Sequence, residues 1–141
     1  MLDYSIRSQG MNNHMDTSKP VEFTWDMKAF HTEKSVKYEN QYTTVEYRTD
    51  GGEFGDITAM RKLAEEDLTS VDWLAFRQQF FTSILNAENP IEKVKVRLEN
   101  LVNNEEKDTV YTKHFNEVIP LKAQGGEYNY NWNYYLSLIH I

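Results

Sequence analysis

The stretch Glu127–Ile141, EYNYNWNYYLSLIHI, decides how the rest of the chain is read. Tyr128, Tyr130, Trp132, Tyr134, Leu136 and Leu138 fall on every second position. Asn129, Asn131, Asn133, Tyr135, Ser137 and Ile139 fill the positions between. A period of two is the mark of a β-strand with two chemically different faces. The aromatic row is expected to face the core, against Trp73, Phe76 and Phe80, and to leave the Asn row wet. Exposed Asn and Tyr with few charges suit a recognition surface. A strand this long would reach roughly 50 Å, against a diameter of about 40 Å for a compact domain of this size. It must therefore bend, stop early or project, and a projecting strand pairs readily with another chain.

Working back from this strand, Ala123-Gln124-Gly125-Gly126 reads as a turn and Thr109–Leu121 as the preceding strand. Pro120 lies near that strand's end, where a missing N–H is tolerated. At the other end of the chain, Val21, Phe23, Trp25, Met27 and Ala29 alternate with Glu22, Thr24, Asp26 and Lys28. That is a half-buried strand. A second strand is expected from Val36 to about Thr49, with a bulge near Tyr42–Thr44 where its apolar positions change parity. The two are expected to pair as a hairpin.

Between the two ends the spacing is helical. Ile57, Met60, Ala64 and Leu68 make a stripe behind Asp56 as N-cap. Trp73, Phe76, Phe80 and Ile84, with Leu74, Phe81 and Leu85, predict an apolar helix over about 71–86. Asn89-Pro90 then opens a helix carrying Ile91, Val94, Leu98, Leu101 and Val102, with Pro90 at a first-turn position that needs no N–H donor. The order is ββ–ααα–ββ. It predicts an α+β fold: an antiparallel β-sheet from two hairpins, covered on one face by about three helices. Residues 1–19 show no period and are expected to form a loosely ordered tail. Residues 20–141 are expected to form a single domain.

Composition narrows function by exclusion. The chain has 141 residues, a net charge of −7 and no cysteine. Disulfides and thiolate chemistry are excluded. The acidic balance, concentrated in residues 20–56, disfavours a binder of phosphate backbones. No apolar run approaches the ~20 residues that span a bilayer, and the N-terminus lacks the apolar core of a secretory signal. A cytoplasmic protein is expected, or a virion protein if the chain is viral. The loop DGGEFGD at Asp50–Asp56 and the pair Gly125-Gly126 fit turns; neither a dinucleotide fingerprint nor a P-loop is present. His14, His31, His114 and His140 form no H-E-x-x-H pair, although His31 with Glu33, or His114 with Asn116, could share one strand face. Glu65, Glu66 and Asp67 read as a solvated acidic face.

No catalytic residue, metal or cofactor is expected. The reading that follows is a non-catalytic protein-binding or assembly subunit, of the kind found among viral or phage accessory proteins, virion assembly components or immunity-type inhibitors. Its contact surface is expected on the C-terminal hairpin at Asn129, Asn131, Asn133, Tyr135, Ile139 and Ile141. The expected partner is another protein or a second copy of the chain, with no membrane contact and no nucleic acid. The alternative is a small enzyme or ligand-binding domain with a pocket lined by Trp25, Tyr47, Trp73 and Tyr130 and served by His31 or His114.

Overall fold

The computed structural model describes residues 2–10, 14–16, 18–102, 109–123 and 127–138. Its elements are β1 (Leu2–Ser8), β2 (Val21–Phe30), α1 (Val36–Gln41), β3 (Thr44–Thr49), β4 (Phe54–Ile57), β5 (Leu63–Arg77), β6 (Phe81–Asn100), β7 (Tyr111–Leu121) and β8 (Tyr128–Leu138). Every strand pair is antiparallel. The α+β expectation is therefore overturned. The segment read as three helices belongs to the end of β4 and to the long hairpin of β5 and β6, and α1 is the one helix among the described residues.

The misreading has a physical cause. The core-facing residues of β5 are Leu68, Val71, Leu74 and Phe76. Ser70 takes a left-handed backbone with φ of 53°, and the pairing with β6 slips between Val71 and Trp73. At the Ser70 turn and at the slip the inward side advances by three residues instead of two, and steps of three imitate a helix. Opposite this kink, Ile91 and Val94 are also three apart. Beyond it, Val94, Val96 and Leu98 are buried and alternate with Lys93, Lys95, Arg97 and Glu99, a strand period. A helical stripe through Ile91, Val94 and Leu98 passes over Val96.

The kink lets this hairpin serve two layers. Residues 71–77 of β5 and 81–87 of β6 lie in a first layer of order β1-β8-β6-β5-β3-β4. Residues 63–69 of β5 and 93–100 of β6 lie in a second layer with β7 and β2. The layers meet through aromatic contacts between strands that share no hydrogen bonds. Trp25 stacks on Phe76 at 4.1 Å, Phe115 stacks on Phe76 at 4.6 Å, and Phe23 meets Trp132 at 4.5 Å. Trp132 is buried, and Tyr130 packs beside it. The aromatic row of β8 thus faces the core, against β2 rather than a helix.

Neither expected hairpin forms. β2 pairs with β7, and α1 separates it from β3. Ser35 caps α1 by accepting from the Tyr38 N–H at 3.4 Å. Buried Glu39 accepts from the backbone N–H and hydroxyl of Thr32, at 2.8 and 3.0 Å, and pairs with His31. These bonds hold residues 36–41 as a helix where the pattern of Val36, Tyr38 and Tyr42 suggested a strand. At the C-terminal end, β7 lies between β2 and β6, while β8 lies between β1 and β6. β8 pairs with β1 over residues 128–134 and with β6 over residues 132–138, so both of its backbone edges are taken at Trp132, Asn133 and Tyr134.

Candidate protein-binding face

Residues directly paired across an antiparallel ladder point to the same side of the sheet. Following the registers across the first layer gives two rows on its outer face. One runs Asp3, Asn133, Asn86, Trp73, Arg48, Phe54 across β1, β8, β6, β5, β3 and β4. The next runs Tyr135, Ile84, Ala75, Glu46, Asp56 from β8 to β4. Asn131 and Asn129 continue the contribution of β8, opposite Ser5 and Arg7 of β1. The side-chain amide of Asn133 donates to Asp3 at 2.7 Å. The face is thus a mixture of amides, aromatic rings and a few charges.

Near its β4 end the face carries a pocket of about 420 Å³, lined among others by Tyr42, Tyr47, Phe54 and Trp73 with Glu46, Asp56 and Arg77. Phe54 is 72% exposed and leans on Trp73, with ring centroids 6.1 Å apart. Arg77 reaches Glu46 at 2.6 Å. Gly55 is required here. A Cβ at this position would stand 2.3 Å from Tyr47 Cζ, because the Tyr47 ring lies over its cross-strand partner.

The outer face of the second layer is different. It presents Glu65, Asp67, Lys93, Lys95, Arg97, Glu99, His114 and Asp26, and several of these charges pair with one another. Arg97 pairs with Glu65 at 3.6 Å, and His114 with Asp26 at 2.8 Å and Glu99 at 3.8 Å. Asn116 donates to Asp26 at 2.9 Å. Paired charges gain little from a partner, and a face this dense in charge resists desolvation. The two histidines singled out from sequence are absorbed in this way, His114 on this face and His31 by Glu39. Among the described residues no group of three His, Asp or Glu side chains is placed to hold a metal ion.

Of the sequence-predicted contact residues, Asn129, Asn131, Asn133 and Tyr135 lie together on the outer face of the first layer. Ile139 and Ile141 lie outside the described residues. The C-terminal hairpin expected to carry them does not exist as a unit. Of the alternative pocket, Trp25 and Tyr130 belong to the core, while Tyr47 and Trp73 line the pocket beside β4. Phe54 was read only as a loop residue, and Asp56 as the loop's end and a helix N-cap. The signal that could have found them is the alternation of Val45 and Tyr47 with Glu46 and Arg48, which aligns with residues 54–57 once β4 is recognised.

No protein-family model matches the chain. No solved structure matches it either. Curated proteins do. The chain is 29% identical over 97 residues to the membrane protein insertase YidC of Phocaeicola vulgatus, and 29% identical over 98 residues to that of Bacteroides fragilis. It is 26% identical over 100 residues to that of Porphyromonas gingivalis. These matches cover 68%, 69% and 67% of the chain and 16% of each relative. The chain therefore spans about a sixth of the length of the proteins it resembles. Among the described residues no helix is long and apolar enough to cross a membrane. The similarity to cellular insertases overturns the viral or phage accessory reading, and with it the cytoplasmic or virion location and the exclusion of a membrane. What remains of the expected partners is a protein, and the chain is similar over two thirds of its length to bacterial membrane protein insertases.

Proposed function

We propose that this chain is a protein-binding β-sandwich of a membrane protein insertion apparatus. The outer face of its first layer, from Asn129, Asn131, Asn133 and Tyr135 across to Trp73 and Phe54, is where it meets a protein on its way into the membrane. The observation that carries this reading is the contrast between the two outer faces in a chain similar to insertases. One face is dense in charges, several of them paired with one another. The other presents amides and aromatic rings. A segment awaiting insertion is apolar and has unpaired backbone groups. Asn amides and the Tyr135 hydroxyl can hydrogen-bond such a backbone in several registers. Trp73, Phe54 and Ile84 offer apolar contact at low cost in side-chain entropy.

The test is site-specific photo-cross-linking in cells that carry the protein. A photoreactive residue at Asn131 or Trp73 is expected to yield adducts with newly made membrane proteins. The same residue at Lys95, on the opposite outer face, is expected to yield none. Equal adducts from both faces, or none from either, would contradict the reading.

A further inference from the structure

We propose that the pocket beside β4 receives a lysine or arginine side chain carried by an extended segment of partner protein lying along that strand. The inference rests on the reading that this face receives protein, and it names what the partner presents. β4 ends the first layer and pairs only with β3 among the described residues, so its outer backbone edge is open to strand addition. A strand added there would direct alternate side chains towards the outer face, where the pocket lies.

Charge decides which side chain fits. Glu46 and Asp56 are direct cross-strand partners on one face, an arrangement that like charges make unfavourable. Arg77 answers Glu46 alone. The Asp56 carboxylate accepts only from the Thr58 hydroxyl, at 2.9 Å, among the described residues. The lining thus holds two carboxylates against one guanidinium, with the aromatic residues Tyr42, Phe54 and Trp73 among the other lining residues. Carboxylates next to aromatic rings are a cation-binding environment. The chain shows this chemistry in miniature: the guanidinium of Arg48 sits 5.6 Å from the centre of the Phe54 ring. Arg48 does not fill the pocket. Its Nη2 lies near the turn, 3.8 Å from where a Cβ on Gly52 would be, and it is not among the lining residues.

The experiment titrates the whole chain with a short extended peptide alternating valine and arginine, and follows the Trp73 indole signal by NMR. Two control peptides carry citrulline or glutamate in place of arginine. Saturable binding of the arginine peptide is expected, weakened at least about tenfold by citrulline and abolished by glutamate. Asp56→Asn is expected to cost about the same factor with an unchanged melting temperature, because the side chain is exposed. The proposal is overturned if citrulline binds as well as arginine, if Asp56→Asn has no effect, or if free arginine binds as tightly as the peptide. Self-association through β4 that the peptide does not displace would also overturn it, by assigning the edge to a second copy of the chain. Cross-links from Asn131 without peptide binding would sink this proposal and leave the protein-binding face standing.

Discussion

Glu117 points from β7 into the core between Trp25 and Val96, its cross-strand neighbours. Its side chain is fully buried, and neither carboxylate oxygen has a hydrogen-bond partner among the described residues. Burial pushes its carboxyl up to about 8. The unfolded chain gives up this proton near the ordinary value of 4.5, well before the folded chain does. Stability is therefore expected to fall as pH rises from about 4.5 to about 8 and to level off above that, by on the order of 5 kcal/mol at about 1.36 kcal/mol per pH unit. Glu117→Leu, of similar volume, is expected to be more stable than the parent at pH 8 and to lose this slope. Urea unfolding of both proteins at pH 5 and pH 8 measures it, and parallel pH profiles would contradict it. Lys113 lies on the same face of β7 and donates to the Ala59 carbonyl, and burial pushes its ammonium down to about 8. Four strand residues, about 13 Å, separate it from Glu117, too far for the two to pair. Neither group was legible as core in the sequence. A Lys or Glu in an alternating strand is read as facing water, since such residues are almost never fully buried without a partner.

At the scale of elements, the kink in the β5–β6 hairpin hid the fold and also makes it. Ser70 pays for this turn in backbone strain, since only glycine adopts a positive φ freely. Ser70→Gly is expected to raise stability by about 0.5 kcal/mol, and Ser70→Val to lower it by about 1–2 kcal/mol, in urea unfolding. No gain from glycine would mean that the hairpin does not turn here. Strands β2, β7 and β8 were legible because each keeps one parity from end to end and one face in the core. β5 and β6 were not, because they change layer midway and their inward positions step by three at the change. α1 was hidden for the opposite reason. It is six residues long, and its cap and the Glu39 bonds decide it rather than any period.

Across the whole molecule, a single sheet folds over itself into two layers, and the two outer faces differ in chemistry. Trp132 anchors the packing between the layers, meeting Phe23 from β2. Trp132→Ala is expected to cost about 3–5 kcal/mol, read as a loss of thermal stability, while Asn131→Ala on the opposite side of the same strand is expected to change stability by less than about 0.5 kcal/mol. The division of β8 into a core row and an amide row was legible from alternation alone. What the amide row joins was not, because the companions that complete the face, Trp73, Arg48 and Phe54, come from segments whose pairing no local pattern reveals. The most direct test of the account is chemical-shift mapping of the chain titrated with an extended segment of a membrane protein. The account predicts shifts clustered at Asn129, Asn131, Asn133, Tyr135, Ile84, Trp73 and Phe54. Shifts confined to Lys93, Lys95, Arg97, His114 and Asn116, or no shifts at all, would contradict it.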